Sequence, residues 1–385
     1  MKKLFYLFCI SGIAMLIGCR QEGNRSLHGG MPTTSQQLDS LFQSHFEQDL
    51  FHGGVVITQY GESIYESYWG LADRSWGIPF DKEVKLDIAS VNKSMIAALA
   101  VKAVEEERLR LDDRLVALLS GFSYRGHFHA DITLHQLLTH TAGLADYDGV
   151  AEDLRQDNFL KFKRSRFTDA AYVDFISRLA PIGEPGKQFH YSNFAYHLLA
   201  IILADTYSKP FAELLKEKLT EPLGLRHTVS EGLNERLIPR LAQAYTYQAS
   251  TGEWLENPFI DLSLSRRIFS TAADLSRWAR VMDNPGWLTA ASLELIQQNH
   301  LAGISKDVSY GYGWVLVDKE NKSKMGDLGI DTPYIIHGGS TDGYKAMLIN
   351  INQGAYVISF LSNVGNRTNE MHLAQKITKI VMRRP

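Results

Sequence analysis

The residues best able to do chemistry fall in three short motifs, met in this order: Ser90-Val91-Asn92-Lys93, Tyr191-Ser192-Asn193 and His337-Gly338-Gly339. They supply a nucleophile with a nearby amine, a phenol paired with an amide, and a glycine-lined strand end. Ser-x-x-Lys and Tyr-x-Asn each occur once in the 385 residues, whereas His-Gly-Gly also occurs at His28 and His52. Any one of these patterns arises by chance in a chain of this length; the ordered set carries the information. Together they are the parts that acyl transfer through a serine requires.

A serine hydroxyl is a poor nucleophile until a neighbouring base takes its proton. Ser90 and Lys93 are three residues apart, so on a helix they share a face. An amine in the first helical turn sits at the positive end of the dipole, and burial also disfavours its charge. Both effects lower its pKa toward a value useful to a base. The run Met95 to Val104 is rich in Ala, Met, Leu and Val, and a helix apolar on most sides is a buried one. Tyr191 and Asn193 must arrive by folding; they stand after Pro185-Gly186 and before the apolar run Ala195 to Ala204. His337 to Ser340 ends a β-rich run and enters a glycine-rich turn. Glycines there, Gly339 included, let a substrate lie against the strand edge by backbone pairing.

The elements that must position these residues can be read in outline. Thr34 and Gln37 form a capping-box pattern, and Leu38, Leu41, Phe42 and Phe46 follow at helical spacing. Val55 to Gln59 and Ser63 to Trp69 are β-rich runs around a Tyr60-Gly61-Glu62 turn. From about Leu109 to Ser305 the pattern is mostly helical with long loops. Strands return at Gly313 to Val317, Tyr334 to His337, Tyr344 to Ile351 and Ala355 to Ser362, the last two joined by Asn352-Gln353-Gly354. Asn369 to Arg383 reads as a closing helix. Strands at both ends of a helical middle predict an α+β domain over 34–385 with a helical insertion at about 109–305.

These motifs and their surroundings resemble the serine β-lactamase and penicillin-binding-protein-like superfamily, in particular its class C-like branch of esterases and peptidases. The resemblance runs from about Gly53 to about Asn363. It also rests on Leu137-Leu138-Thr139-His140-Thr141-Ala142-Gly143-Leu144, Pro185-Gly186, Glu221-Pro222-Leu223-Gly224-Leu225, Gly311-Tyr312-Gly313-Trp314 and Ser340-Thr341-Asp342-Gly343-Tyr344. It implies an antiparallel sheet flanked by terminal helices, with the site in a cleft beside an inserted helical subdomain. It implies Ser90 as nucleophile, with Lys93 and Tyr191 sharing general acid and base duty. Asn193 would bond lysine and substrate, and the Ser90 and Ser340 N–H groups would form the oxyanion hole. His337 stands where many β-lactamases carry lysine; it reads as a substrate-steering residue with weaker attraction for a carboxylate, since histidine is largely neutral at pH 7. The implied substrate is a small molecule or peptide, a cell-wall peptide among them, and no cofactor is expected.

The N-terminus reads as an export signal. Lys2 and Lys3 precede an apolar stretch from Leu4 to Ile17, too short to span a bilayer. It ends in Leu16-Ile17-Gly18-Cys19, which looks like a bacterial lipobox. Residues 1–18 are then a lipoprotein signal, Cys19 the lipidated residue, 19–33 a flexible tether, and the membrane a partner through the anchor, on the periplasmic or cell-surface side. The two cysteines, Cys9 and Cys19, are both spent on export, which excludes cysteine catalysis and cysteine metal sites. A net charge of −3 with interspersed signs excludes a nucleic-acid surface.

Two alternatives to an acyl-enzyme hydrolase stay open at this point. One is a penicillin-binding receptor that acylates without useful turnover. The other is a zinc hydrolase built on His127 and His129. There Ile132 stands where the fuller His-x-His-x-Asp-His pattern needs histidine, and His135 and His140 lie too far on to repair it. His140 reads as a packing and hydrogen-bonding residue. No Gly-x-Ser-x-Gly elbow is present.

Overall fold

The computed structural model describes residues 32–150, 167–231, 237–257, 266–341 and 343–383. The signal, Cys19 and nearly all of the tether lie outside them. Among the described residues no helix is long and apolar enough to cross a membrane.

Strands run in chain order as β1 (Gly53–Gln59), β2 (Glu62–Trp69), β3 (Leu71–Asp73), β4 (Ile78–Pro79), β5 (Leu86–Asp87), β6 (Val229–Glu231), β7 (Tyr245–Gln248), β8 (Glu253–Glu256), β9 (Arg267–Ser270), β10 (Val315–Val317), β11 (Tyr334–Thr341), β12 (Tyr344–Ile351) and β13 (Tyr356–Ser362). Six of them form one antiparallel sheet in the order β10-β11-β12-β13-β1-β2. The fold is α+β. Both expected hairpins form, and their turns carry positive φ at Tyr60 and Gly61 and at Asn352, Gln353 and Gly354, which suits the right-handed twist of the flanking strands.

The sheet is covered on both faces, which is why its central strands read as continuous apolar runs. Met347, Ile349, Ile358 and Phe360 pack with Leu38 and Phe42 of the Thr34–Glu47 helix and with Leu373 and Ile377 of the Glu370–Val381 helix. Ala346, Leu348, Val357 and Leu361 face the other way, into the core that holds the Asn92–Glu105 helix. That helix is buried from Lys93 to Val101 and packs on the equally apolar Asn193–Thr206 helix. Two of the three motifs therefore sit at the N-termini of two contacting core helices.

In the described part of the 109–305 segment, helices alternate with long loops and short strands. β6, β7, β8 and β9 fall within it, each only three or four residues long. Runs that short show no alternation, and β9 is buried throughout, so its pattern is shared with a buried helix segment. β9 pairs with β5 and β6, and through β5 it reaches the Ser90 turn.

One feature of the sheet edge matters for the site. β10 pairs with β11 only over Tyr334 to Ile336. Beyond that point β11 has no strand on its outer side among the described residues, and it lies against the Ala89–Val91 turn.

Candidate active site

Ser90 sits in a single 3-10 turn, Ala89–Val91, that runs directly into the Asn92–Glu105 helix. The turn is anchored from behind. Ile88 N–H donates to the Ile268 carbonyl, and Asp87 Oδ1 accepts from Ala89 N–H at 2.7 Å. Ala89 takes φ of +46°, a left-handed conformation that costs a non-glycine residue roughly 1–2 kcal/mol, so the Asp87 bond offsets a real preference for other shapes. Asp87 is itself fixed by Arg267, whose Nε lies 2.8 Å from Oδ2 with both side chains almost fully buried. Arg267 also donates to Thr341 Oγ1 at 2.8 Å. One guanidinium thus ties the Ser90 turn to the end of the β11 edge.

Lys93 Nζ lies 3.2 Å from Ser90 Oγ and donates to Asn193 Oδ1 at 2.8 Å. It stands 4.9 Å from the Tyr191 ring centroid and 5.7 Å from that of Tyr196. The Tyr191 phenol has the Ser90 hydroxyl as a hydrogen-bond partner. The turn of helix that carries Lys93 is approached closely by Gly313: a Cβ there would fall 2.5 Å from the Lys93 carbonyl oxygen. That contact accounts for glycine at 313, while Gly311 is held close to the Ile296 carbonyl, where a Cβ would fall 2.1 Å from the oxygen.

The Tyr191 loop is held by the Thr139 to Ala145 segment. His190 N–H donates to the His140 carbonyl, Gly186 N–H to Thr141 and Ile182 N–H to Gly143. Ser192 is the N-cap of the Asn193–Thr206 helix, accepting from Ala195 N–H. Its hydroxyl donates to the Ala145 carbonyl at 3.0 Å and its N–H to His140 Nδ1 at 3.1 Å. His140 is 1% exposed and its ring stacks on Tyr191 with centroids 4.4 Å apart. Its packing and bonding role is what the sequence suggests.

His337 is inside the wall. It is 2% exposed, its Nδ1 lies 2.7 Å from the Gly338 carbonyl and its Nε2 lies 3.3 Å from the Tyr310 hydroxyl. Donation from Nδ1–H and acceptance at Nε2 describe a neutral ring. Both ring nitrogens are thus engaged, and the ring stands beside Tyr191, with centroids 6.4 Å apart. Gly339 does line the approach: a Cβ there would lie 2.4 Å from the Ile88 carbonyl oxygen and 3.2 Å from Ala89 Cβ. Only glycine lets the strand come this close to the Ser90 turn. Ser340 is exposed next to it, and its Oγ accepts from Lys345 Nζ at 2.9 Å.

Burial sets the electrostatics. It lowers Lys93 to about 7, with Asp146 and Asp87 opposing the shift through their charge. Burial also raises Tyr191, partly offset by its bond with Ser90. His337 falls to about 3 through burial and the nearby Lys93. The amine is thus the group poised near neutrality, and the phenol stays protonated.

His127 and His129 stand apart from this cluster. His129 Nε2 lies 3.4 Å from Glu184 and Nδ1 accepts from Asp131 N–H. Among the described residues no three His, Cys, Asp or Glu side chains are grouped to hold a metal. His135 instead bonds the Tyr312 hydroxyl at 2.7 Å.

With this geometry established, comparison with known proteins is decisive at one level. The Beta-lactamase family matches over residues 38–380. The chain belongs to the Beta-lactamase family. It is 24% identical over 340 residues to penicillin-binding protein 4* of Bacillus subtilis (strain 168), spanning 85% of this chain and 71% of that one. Its fold is similar to an octameric penicillin-binding protein homologue from Pyrococcus abyssi (TM-score 0.74, 21% identity, 90% of this chain and 77% of that one). It is also similar to a D-amino acid amidase from Ochrobactrum anthropi SV3 (TM-score 0.71, 20% identity, 90% and 97%).

Three residues of this Beta-lactamase family site have no motif of their own. Asp146 accepts from Asn193 N–H at 2.8 Å and from Asn193 Nδ2 at 2.9 Å, so it fixes which end of the amide faces Lys93. Burial raises its pKa, and the Asn193 bonds oppose the rise. Its place two residues after Leu144 was the available signal. Asp87 and Arg267 had no sequence signal, because they pair across 180 positions of chain.

Proposed function

We propose that the protein is a serine acyl hydrolase that cleaves an amide or ester through an acyl-enzyme on Ser90. The reading rests on one observation above the others: a buried amine, Lys93, lowered to about 7, lies 3.2 Å from the Ser90 hydroxyl. A base must be within hydrogen-bond reach of the proton it takes and have a pKa near the working pH. Lys93 meets both conditions.

In this mechanism neutral Lys93 takes the Ser90 proton as Oγ attacks the substrate carbonyl. The developing alkoxide is bound by the N–H groups of Ser90 and Ser340, aimed from the turn and from the β11 edge. Tyr191, kept protonated by its burial, gives its proton to the leaving amine or alcohol and is reprotonated from Lys93. The C–N or C–O bond breaks and the acyl group stays on Ser90. Water then attacks the ester, its proton passing back along the same groups, and the acid leaves. Asn193, oriented by Asp146, holds the amine and one polar group of the substrate. Relatives whose names refer to penicillin binding and to D-amino acid amides support small amides and short peptides as substrate classes.

A fluorophosphonate probe tests this. Wild type should take up one adduct, located by mass spectrometry on Ser90, and Ser90→Ala should take up none while keeping its thermal transition. An adduct on another residue would overturn the assignment. A stoichiometric burst without turnover on a panel of esters and amides would instead identify a receptor that acylates and stops.

We also propose that the protein is held at a membrane through a lipid on Cys19. This rests on Leu16-Ile17-Gly18-Cys19 at the end of the apolar stretch. Fatty-acid labelling that persists in Cys19→Ala would refute it.

A further inference from the structure

The open edge of β11 is where a substrate would lie beside Ser90, and among the described residues the cations that touch it are already paired. His337 is buried and neutral by its hydrogen bonds. Lys345 reaches Ser340 Oγ at 2.9 Å, but its amine also pairs with Glu370 at 3.1 Å, the two side chains being 17% and 22% exposed. Arg267 reaches Thr341 Oγ1, but its guanidinium is paired with Asp87 in near-complete burial. Among the described residues the edge therefore offers hydrogen bonds without an unpaired cation. Ser340 accepts from Lys345, which leaves its own hydroxyl proton free to donate outward.

We propose that this site selects acyl donors with no carboxylate beside the scissile bond, because Glu370 and Asp87 neutralise the two cations that touch the β11 edge. The inference rests on the acyl-transfer reading and deepens it. A carboxylate on the leaving side of the substrate would lose its hydration without gaining an unpaired cation, a penalty that a neutral amide at the same position avoids. Glu370 is the specificity-determining residue in this scheme, since Asp87 is also needed to hold the Ala89 turn.

The test uses a matched pair of thioesters, hippuryl thioglycolate and hippuryl thioglycolamide, which differ only in a carboxylate or carboxamide on the leaving side. Thiol release with Ellman's reagent gives kcat/KM for each. Wild type should favour the amide by roughly fivefold or more, with a ratio that salt leaves unchanged, since no described cation at the edge is free to attract the acid. Glu370→Gln frees the Lys345 amine and should shift the ratio toward the acid by roughly threefold, an effect that salt screens. A wild-type preference for the acid overturns the proposal whatever the variant does. An unshifted ratio in a folded Glu370→Gln protein overturns the part assigned to Glu370. Fluorophosphonate labelling of Ser90 in the same preparation separates these outcomes from failure of the hydrolase reading: if Ser90 is unlabelled and neither thioester is cleaved, both fall together.

Discussion

Replacing Asp146 with asparagine should move the acid limb of the acylation rate to lower pH. In the proposed mechanism the active form has neutral Lys93, so acylation is lost as pH falls through the Lys93 pKa, about 7 in the folded protein. Asp146 acts on that value through its charge, which favours the protonated amine. The Lys93–Asn193 and Asn193–Asp146 bonds are 2.8 and 2.9 Å long. Adding the width of the amide puts the carboxylate within roughly 8 Å of the amine. Unit charges at that separation, with an effective dielectric near 20, interact by roughly 2 kcal/mol, equivalent to roughly one and a half pH units. The amide introduced by Asp146→Asn would also meet the Asn193 amide donor to donor. If Asn193 turns over in response, Lys93 loses its acceptor, and that again favours the neutral amine. Both effects have the same sign. The assay is the second-order rate of fluorophosphonate labelling between pH 5 and 9, which reports acylation alone. A limb displaced downward by roughly one to two units is expected. A limb that stays in place, or moves up, would refute Lys93 as the titrating base or Asp146 as its counter-charge.

Further outcomes follow from the same contacts. Lys93 has a folded pKa below its ordinary value of 10.5, so between about pH 7 and 10.5 the unfolded chain binds more protons and stability rises with pH. Below about 7 the penalty for the buried charge is present in full. Lys93→Met should therefore abolish acylation yet raise stability at pH 7 by roughly 1–3 kcal/mol and flatten that pH dependence, read by urea unfolding. Gly339→Ala puts a Cβ against the Ile88 carbonyl and should cost roughly 1–3 kcal/mol while slowing acylation by at least tenfold, measured by the same probe. His337→Lys places a second amine beside Lys93 in a buried wall and should slow both thioesters alike; a selective gain on the carboxylate-bearing one would instead support a steering role.

The two ends of the domain were legible because local chemistry specifies them. β1 and β2 around Tyr60-Gly61, and β12 and β13 around Asn352-Gln353-Gly354, are antiparallel neighbours joined by tight turns, so their pairing is written in adjacent sequence. The Asn92–Glu105 and Asn193–Thr206 helices were legible for a different reason: each is apolar on most sides, which marks a buried helix. The short strands β6 to β9 were not, since three or four buried residues carry no period. Ser90, Lys93, Tyr191 and Asn193 were found because acyl transfer needs those residue types and because two of them share a helix face.

Residue types and their spacing established the inventory of groups and the two helix starts that present them. How those groups behave is set by contacts made on folding. His337 was read as a substrate-steering residue from its position alone; its burial and its contacts with Tyr310 and the Gly338 carbonyl come only with folding, and no spacing rule expresses either contact. Asp87 and Arg267 had no signal at all, because an ion pair between β5 and β9 is created only when those strands meet. The pKa of Lys93 is likewise a property of the folded chain. The helix start lowers it modestly at most, whereas packing the amine beneath Tyr191 and Tyr196, away from water, brings it to about 7. Residue type sets what a group can do; its dielectric surroundings, supplied by distant segments, set whether it does so at neutral pH.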